Sequence, residues 1–335
     1  MMKITSVIAV LFLTTFTFAQ NTTRFSQLNF AQGVNNPAAI AIDGSMMVDM
    51  IFRNQWLGVE GAPTTVALNG QYEINETMAT GITMGYDRIG VNQTTSIGGQ
   101  YAYRVQLENS RTVIFGLGLG IDNVVKHLAG TTTTNAGDPA FAASYSNVYF
   151  NGGFGVLFNG PRFYLGFSIP QLFQNTRTGP DPGLQLHRWH HYITSGFYFH
   201  AGENYTFNPH LQLKVTPDAP MQGGIILRNT FKNRFSLVAG YRSENSIIAG
   251  FDVMLKGHIR VGYSFNYDIG SLSRVKGMSN ELYLGLAFPY HSDREDFGKR
   301  RYTNNRGGSN SDYKRNSRRK HHRRGRRFGR NHKYR

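Results

Sequence analysis

Short segments in which apolar and polar residues alternate follow one another from Ser45 to Phe288. A period of two is typical of β-strands with one buried face, and segments of about 8 to 12 residues match the length of a tilted membrane strand. The pattern predicts fourteen strands, at Ser45–Trp56, Pro63–Tyr72, Met78–Asp87, Thr94–Val105, Arg111–Asp122, Asn147–Phe158, Arg162–Ile169, His190–His200, Tyr205–Thr216, Met221–Phe231, Arg234–Arg242, Ser246–Leu255, His258–Asp268 and Asn280–Phe288.

Two of these segments show the alternation most clearly. Their apolar sets are Val113, Phe115, Leu117, Leu119 and Ile121, and Ile259, Val261, Tyr263, Phe265 and Tyr267. The intervening sets are Ile114, Gly116, Gly118 and Gly120, and Arg260, Gly262, Ser264, Asn266 and Asp268. In a membrane barrel, alternate residues face lipid and lumen. We therefore predict that the first sets face lipid and that the second face the lumen.

The connections between the predicted strands differ in length according to their parity. Those after even-numbered strands are all short, whereas the three long ones, Asn123–Ser146, Pro170–Trp189 and Ile269–Ser279, all follow odd-numbered strands. Bacterial outer-membrane barrels have an even strand number, short periplasmic turns and longer external loops. We therefore predict an all-β, antiparallel transmembrane barrel at 45–290 with both termini in the periplasm. A soluble sandwich would have no reason to sort its loops in this way.

The first residues, 1–19, have the features of a secretory signal. Lys3 precedes an apolar run that ends at Phe18, and a small residue, Ala19, lies just before the predicted mature start at Gln20. No later window approaches the roughly 18 apolar residues of a membrane helix. An exported chain without such a helix can be a membrane protein only as a barrel.

The composition also favours a barrel over a soluble sandwich. The absence of cysteine excludes disulfides, cysteine metal sites and the lipidated cysteine of a lipoprotein. The 38 glycines relieve crowding in a strongly tilted wall, and the 24 Phe and 18 Tyr suit the aromatic girdles at the two membrane interfaces.

Three motifs lie around the first predicted hairpin. They are Asn-Pro-Ala at 36–38, Arg-x-Gln-Trp-x-Gly at 53–58 and Gly-Ala-Pro at 61–63. With these and with later segments, the chain resembles the PorP/SprF family, outer-membrane barrels of the type IX secretion system in Bacteroidota, from Asn36 to about Phe288. The later segments are Leu211–Lys214 with Pro217 and Pro220, Ala239–Arg242, and Gly262–Asp268. The family's usual His-Glu opening of the final strand is Asn280-Glu281 here, which puts any role of that His in doubt.

The resemblance implies a function in type IX secretion and in the presentation of gliding-type adhesins. Its expected partners are a secreted adhesin or another protein with a type B C-terminal domain, other type IX secretion or gliding components in the periplasm and outer membrane, and outer-membrane lipid. The partner-binding candidates that it implies are Asn36, Pro37, Arg53, Gln55, Trp56, Gly61 and Pro63. A generic alternative stays open, in which Trp56 is a girdle residue and Arg53 is a lumen charge satisfied by Glu or Asp across the barrel.

The stretch 20–44 is rich in Asn, Gln and Thr and has little periodicity. It is either a disordered lead or a segment folded into the lumen. We favour the lumen, as a possible plug, because the family pattern includes the Asn-Pro-Ala motif within this stretch.

Most of the net charge lies in a C-terminal tail at 291–335. This tail contributes +13 of the formal +16, from 17 Lys and Arg against 4 Asp and Glu. Because it has almost no aliphatic residues, we predict that it is disordered. Behind a secretion signal, a partner such as an acidic protein, lipid head groups or peptidoglycan is favoured over nucleic acid. The candidates for electrostatic contact are Arg318, Arg319, Lys320, Arg323, Arg324, Arg326 and Arg327.

No pattern in the chain predicts a metal site, a cofactor or catalysis. His187, Trp189, His190 and His191 have no acidic or cysteine partner that would complete a metal site, so an aromatic girdle is the simpler interpretation. His321 and His322 lie in the basic tail and receive the same interpretation. The sequence has neither a nucleophile elbow nor a phosphate loop. The leading hypothesis is a partner-binding barrel, and the rivals are a porin-like solute channel and an envelope tether that acts through its tail.

Overall fold

A computed structural model of the chain describes residues 25–27, 32–42, 46–128, 144–173, 189–202, 204–217, 219–255, 258–269 and 278–288. The predicted signal at 1–19 and the basic tail at 291–335, with its candidate contact residues, lie outside this description. The regular structure that is described consists of β-strands and two short 3₁₀ turns, Gln32–Val34 and Pro37–Ala41. None of its helices has the length and hydrophobicity to cross a membrane.

The strands form one antiparallel sheet. They are β1 Met46–Asn54, β2 Thr64–Glu73, β3 Met78–Ile89, β4 Asn92–Gln106, β5 Thr112–Lys126, β6 Tyr145–Asn159, β7 Phe163–Ile169, β8 His191–Phe197, β9 Phe199–Ala201, β10 Tyr205–Val215, β11 Gln222–Phe231, β12 Phe235–Arg242, β13 Ser246–Leu255, β14 Ile259–Asp268 and β15 Ser279–Phe288. Strand β1 pairs with β15, from Met46 opposite Phe288 to Asn54 opposite Asn280. This pairing closes the sheet into a barrel.

Strands β8 and β9 are two parts of one barrel strand, because both pair with β10 in the same register. The break lies at Tyr198, close to Pro209 of β10. Proline has no backbone N–H to donate to its neighbour. The Asn208 side-chain amide instead donates to the Phe197 carbonyl at 2.6 Å. The fifteen strand segments therefore make a barrel of fourteen strands, and the predicted fold class is confirmed.

The predicted alternation between the two faces of the wall is also observed. In β5, the outward Leu119 is 72% exposed, whereas the inward Ile114 is fully buried. In β14, Val261 and Tyr267 lie on the exposed surface and Arg260 is buried. Apolar side chains therefore cover the outer surface, as a barrel in lipid requires.

The described residues before β1 pack against the inner face of this wall. Phe25 lies in an apolar cluster with Ile51, Ala67 and Tyr283. The turn Pro37–Ala41 lies in a second apolar cluster that includes the inward side chains Ala79, Ala102, Ile114, Leu157 and Tyr164. We call the described residues 25–27 and 32–42 the lumen segment.

Candidate functional site

The barrel has two ends with connections of different lengths. At the end where β1 finishes, which we call the loop end, the connections are 55–63, 90–91, 127–144, 170–190, 216–221, 243–245 and 269–278. At the opposite end, the turn end, they are 74–77, 107–111, 160–162, 202–204, 232–234 and 256–258. The three connections that the sequence predicts to be long all lie at the loop end, so their predicted common side is confirmed.

The first loop, Gln55–Pro63, is tied to its neighbours on both sides. Towards β15, the Leu57 N–H donates to the Met278 carbonyl at 2.8 Å, and the Trp56 N–H donates to Ser279 Oγ at 3.3 Å. Towards the turn between β3 and β4, the Gly61 carbonyl accepts a bond from the Gly90 N–H at 2.9 Å. These bonds hold the loop against the barrel rim.

Three residues give this loop its shape. Trp56 has a φ of 54°, Gly58 a φ of 89° and Gly61 a φ of 72°, all in the left-handed region. Glycine adopts this region without steric cost, whereas for a tryptophan it is unusual. Leu57 is 60% exposed and Glu60 is exposed, whereas Pro63 is buried and its carbonyl accepts a bond from the Gln55 N–H at 2.9 Å. The middle of the loop, with Leu57 and Glu60, is thus exposed, whereas its two ends at Gln55 and Pro63 are bonded to each other.

Arg53 lies below this loop and its side chain faces the lumen. Its Nη1 contacts Glu281 Oε1 of the neighbouring strand β15 at 2.5 Å, and the two residues are 6% and 0% exposed. The register places them directly opposite each other. The ionic partner of Arg53 is therefore beside it in the wall, whereas the sequence interpretation placed the partner across the barrel.

The same Glu281 carboxylate holds the start of the lumen segment. Its Oε1 and Oε2 accept bonds from the Ser26 N–H at 2.9 and 2.7 Å, and its Oε2 also accepts one from the Gln27 N–H at 3.2 Å. The Ser26 hydroxyl donates to Asn266 Oδ1 at 2.9 Å and accepts a bond from Arg242 at 3.0 Å. The buried Glu281 carboxylate thus pairs with Arg53 and also accepts hydrogen bonds from the backbone of the lumen segment.

A second buried charge cluster lies in the neighbouring strands. Asp252 of β13 forms ion pairs with both Arg228 and Arg260, and all three side chains are almost completely buried. Arg228 also donates to Gln27 Oε1 at 3.1 Å. A buried charge requires an ionic partner and further hydrogen bonds to offset its lost hydration. Gln27 of the lumen segment supplies one of these bonds.

The candidates Asn36 and Pro37 are buried against the wall on another side of the lumen. The Asn36 Oδ1 accepts a bond from the Ala38 N–H at 2.9 Å, which caps the second 3₁₀ turn. A β-carbon on Gly155 would overlap this oxygen, and one on Gly116 would overlap the backbone at Pro37 and Ala38. The glycines of β5 and β6 therefore form the notch into which this turn fits. The contacts of Asn36 and Pro37 are with the barrel itself.

Polar bonds hold the remainder of the lumen segment to this side of the wall. The Gln100 side chain donates to the Gly33 carbonyl at 2.7 Å. Arg104 donates through Nε to the Ala41 carbonyl at 3.0 Å and forms an ion pair with Glu73 at 2.8 Å. The segment is thus fixed by Glu281 at its start and by Arg104 at its end.

A cavity of about 420 Å³ lies between the lumen segment and the wall of β2 to β6. Its polar lining includes Thr65, Asp87, Asp122, Asn151 and His190. His190 is buried, and His191 stacks on Phe167; His187 lies outside the described residues. In the part of the chain that the structure describes, no group of three or more His, Cys, Asp or Glu could hold a metal ion.

The sequence interpretation missed Glu281, Gln100 and Arg104 as residues that fix the lumen segment. Each lies at an inward position of a predicted strand, so the alternation in the sequence already indicates that its side chain faces the lumen. Their partners in the lumen segment are far away along the chain, so alternation predicted the direction of these side chains but not what they bind.

Comparisons with known proteins agree with the barrel. The monoaromatic hydrocarbon channel CymD is similar over 78% of this chain and 94% of its own, with a TM-score of 0.52 and 10% identity. The Ralstonia pickettii toluene transporter TbuX is also similar over 78% of this chain and 94% of its own, with a TM-score of 0.49 and 8% identity. At this identity, the first likeness shows the fold alone. A comparison with curated protein sequences gave no match.

The family model described as "Type IX secretion system membrane protein PorP/SprF" matches residues 17–286, which is most of the chain. The match includes the first hairpin, the glycine notch and Glu281. The chain is therefore an outer-membrane barrel that belongs to the PorP/SprF family of type IX secretion system membrane proteins.

Proposed function

We propose that this barrel binds a secreted adhesin, or another protein with a type B C-terminal domain, and holds it at the cell surface. The family supports a role in type IX secretion. The observation that carries the binding role is the fixed lumen segment, which is buried and bonded to the wall through Glu281 of β15 and Arg104 of β4. A barrel whose lumen segment is bonded to the wall is suited to present a rigid rim, because these bonds restrain the wall from inside.

In this proposal the loop end faces the cell exterior and both termini lie in the periplasm. The first loop then contributes to the partner surface through its exposed tip, which includes Leu57 and Glu60. The turn end and the basic tail face the periplasmic components of the machinery. The apolar outer wall contacts outer-membrane lipid.

Purification of the full chain from native outer membrane, followed by identification of the bound proteins, tests the binding role. Proteins with a type B C-terminal domain are expected in the wild-type sample and not with an unrelated outer-membrane barrel. If the two samples contain the same bound proteins, the proposed binding role is wrong.

Variants of the first loop test whether it contributes to the partner surface. Replacing Trp56, or the corner Gly61–Pro63, is expected to weaken partner retention more than barrel assembly. The matched control is Leu107→Ala, since Leu107 is also exposed in a connection but lies at the turn end. An equal loss of folded barrel and bound partner would instead support the girdle interpretation of Trp56.

A solute channel is the second candidate, and the cavity of about 420 Å³ favours it. Conductance in planar bilayers separates the two candidates. A barrel that retains the lumen segment is expected to pass little current, whereas a porin-like channel would give steady open-pore conductance. The third candidate, a tether that acts through the tail, predicts that removal of the tail alone abolishes partner binding.

A further inference from the structure

A row of phenylalanine rings crosses the outer wall close to the turn end. It consists of Phe158, Phe163, Phe197, Phe199 and Phe207, on β6 to β10, and we call it the phenylalanine row. Successive rings are stacked, with centroids 5.2, 5.9, 6.4 and 6.1 Å apart. Phe163 and Phe199 are 40% and 55% exposed. Phenylalanine has no polar atom to place among head groups, so this row is suited to contact with lipid acyl chains.

Three exposed basic residues lie in the turns directly beyond such rings, and we call them the basic rim. Arg162 precedes Phe163, and Lys232 and Arg234 follow Phe231, the last residue of β11. None of the three side chains forms an ion pair with a described residue. One residue adds roughly 3.3 Å along a strand. The charges therefore lie just beyond the rings, at the level of the lipid head groups.

The two halves of the turn end differ in charge. The connections 160–162, 202–204, 232–234 and 256–258 contain four Lys or Arg and one Glu, whereas 74–77 and 107–111 contain one Arg and two Glu. Of the first set, Glu203 and Lys256 lie outside the described residues. Near the second set, the outer wall carries the exposed tyrosines Tyr72 and Tyr103. Phenylalanines and an excess of positive charge thus occur together on one half.

The turn at Lys232 keeps its charge at a conformational cost. Lys232 and Asn233 have φ of 49° and 54°, both in the left-handed region. Asparagine and glycine are favoured at such turn positions, whereas lysine has a steric cost there. The turn between β4 and β5 places Asn109 and Ser110 in the same region. The backbone of the turn therefore does not require lysine, which leaves its charge as the feature to explain.

We propose that the basic rim and the phenylalanine row form a binding surface for anionic phospholipids of the inner leaflet of the outer membrane. The phosphate groups lie at the rim and the acyl chains lie on the row. A basic residue close to an anionic lipid surface favours it by a factor of about five. This inference goes beyond the proposed function and depends on it only for the orientation, which assigns the turn end to the inner leaflet.

An acidic periplasmic protein fits this surface less well than a lipid does. Such a protein would contact the rim, but the phenylalanine row below it belongs to the apolar wall that faces acyl chains. A phospholipid has both an anionic group and acyl chains, in the order in which the rim and the row follow each other. It is therefore the occupant to which we commit.

Tryptophan fluorescence in vesicles tests the position of the surface. Phe199→Trp places a probe in the row, and the control Tyr103→Trp places one on the other half at a similar distance from the turn end. The native Trp56 and Trp189 both lie at the loop end and give the same background in each variant. The full chain is reconstituted with brominated phosphatidylglycerol or brominated phosphatidylcholine. We expect phosphatidylglycerol to be preferred at least about fivefold at position 199 and within about twofold at position 103.

Removing the charges tests the role of the basic rim. Arg162→Gln, Lys232→Asn and Arg234→Gln are combined with Phe199→Trp, and asparagine at position 232 suits the left-handed backbone. We expect the preference to fall to within about twofold. The control Arg111→Gln, in the other half of the turn end, should leave it unchanged. Heat modifiability verifies that each variant is folded.

Equal preference at positions 199 and 103 would overturn the proposal, since the basic tail or the membrane as a whole would then attract the anionic lipid. Survival of the preference without the three charges would also overturn it. Preference for lipid A over phosphatidylglycerol would refute the inner-leaflet source and, with it, the proposed orientation. If the charge variant keeps its lipid preference but loses an acidic periplasmic protein on co-purification, the rim binds protein instead. Failure of wild-type protein to bind a type B domain would refute the proposed function and leave the lipid surface standing.

Discussion

Replacing Glu281 by glutamine should release the start of the lumen segment while the barrel stays closed. The carboxylate is fully buried and accepts bonds from Ser26, Gln27 and Arg53 at 2.5–3.2 Å. Glutamine keeps the shape but has no charge, and it places an NH₂ group where one oxygen accepts bonds. A hydrogen bond to a charged group contributes about 1.5–3 kcal/mol. We therefore expect the residues at 25–27 to lose about 2–3 kcal/mol of local stability.

A loss of this size corresponds to amide exchange that is roughly 30- to 150-fold faster at Ser26 and Gln27, because about 1.4 kcal/mol is a factor of ten. The assay is hydrogen exchange with mass spectrometry on the protein in lipid nanodiscs. The control is Glu73→Gln, which alters the ion pair with Arg104 at the other anchor. That variant should leave exchange at 25–27 unchanged. If Glu281→Gln exchanges there within twofold of wild type while folded, the carboxylate does not hold the segment.

Three further predictions test the orientation, the glycine notch and the tail. On intact cells, an impermeant maleimide should label Glu60→Cys but should label Glu108→Cys only after lysis; the chain has no cysteine of its own, and the reverse pattern would invert the proposed topology. Gly155→Ala should speed amide exchange in residues 32–42 about tenfold by displacing Asn36, whereas Gly99→Ala, which meets no atom within 4 Å, should not. Truncation after Tyr290 should preserve heat modifiability and weaken salt-sensitive association with an anionic periplasmic partner; unchanged co-purification at low and high salt would contradict this.

The wall of the barrel could be predicted from the sequence because its signal is local. In β5, each outward residue alternates with an inward one, and this pattern alone gives the strand and its two faces. The break between β8 and β9 is also a local effect, since Pro209 cannot donate a ladder bond. The alternation continues through that break, so the sequence predicts one strand where the structure has two segments.

The contents of the lumen could not be predicted in the same way. Ser26 and Glu281 are separated by 255 positions, and no local pattern indicates that they meet. The notch for Asn36 depends on Gly116 and Gly155 lying side by side, which follows from the register between β5 and β6. The sequence therefore predicts which side chains face inward, whereas the pairings depend on closure of the sheet.

The buried charges explain why the lumen segment and the wall should fold as one unit. In the described lumen, Arg228 and Arg260 both form ion pairs with Asp252, and all three side chains are almost completely buried. Neutral acceptors from the lumen segment contribute to the remaining hydrogen bonds, as Gln27 does for Arg228. Removing the segment would leave buried arginine groups with fewer bonds, which is costly away from water. A pore that opens by ejecting this segment would have to hydrate these arginines at the same time, and this cost favours a barrel that keeps the lumen segment in place.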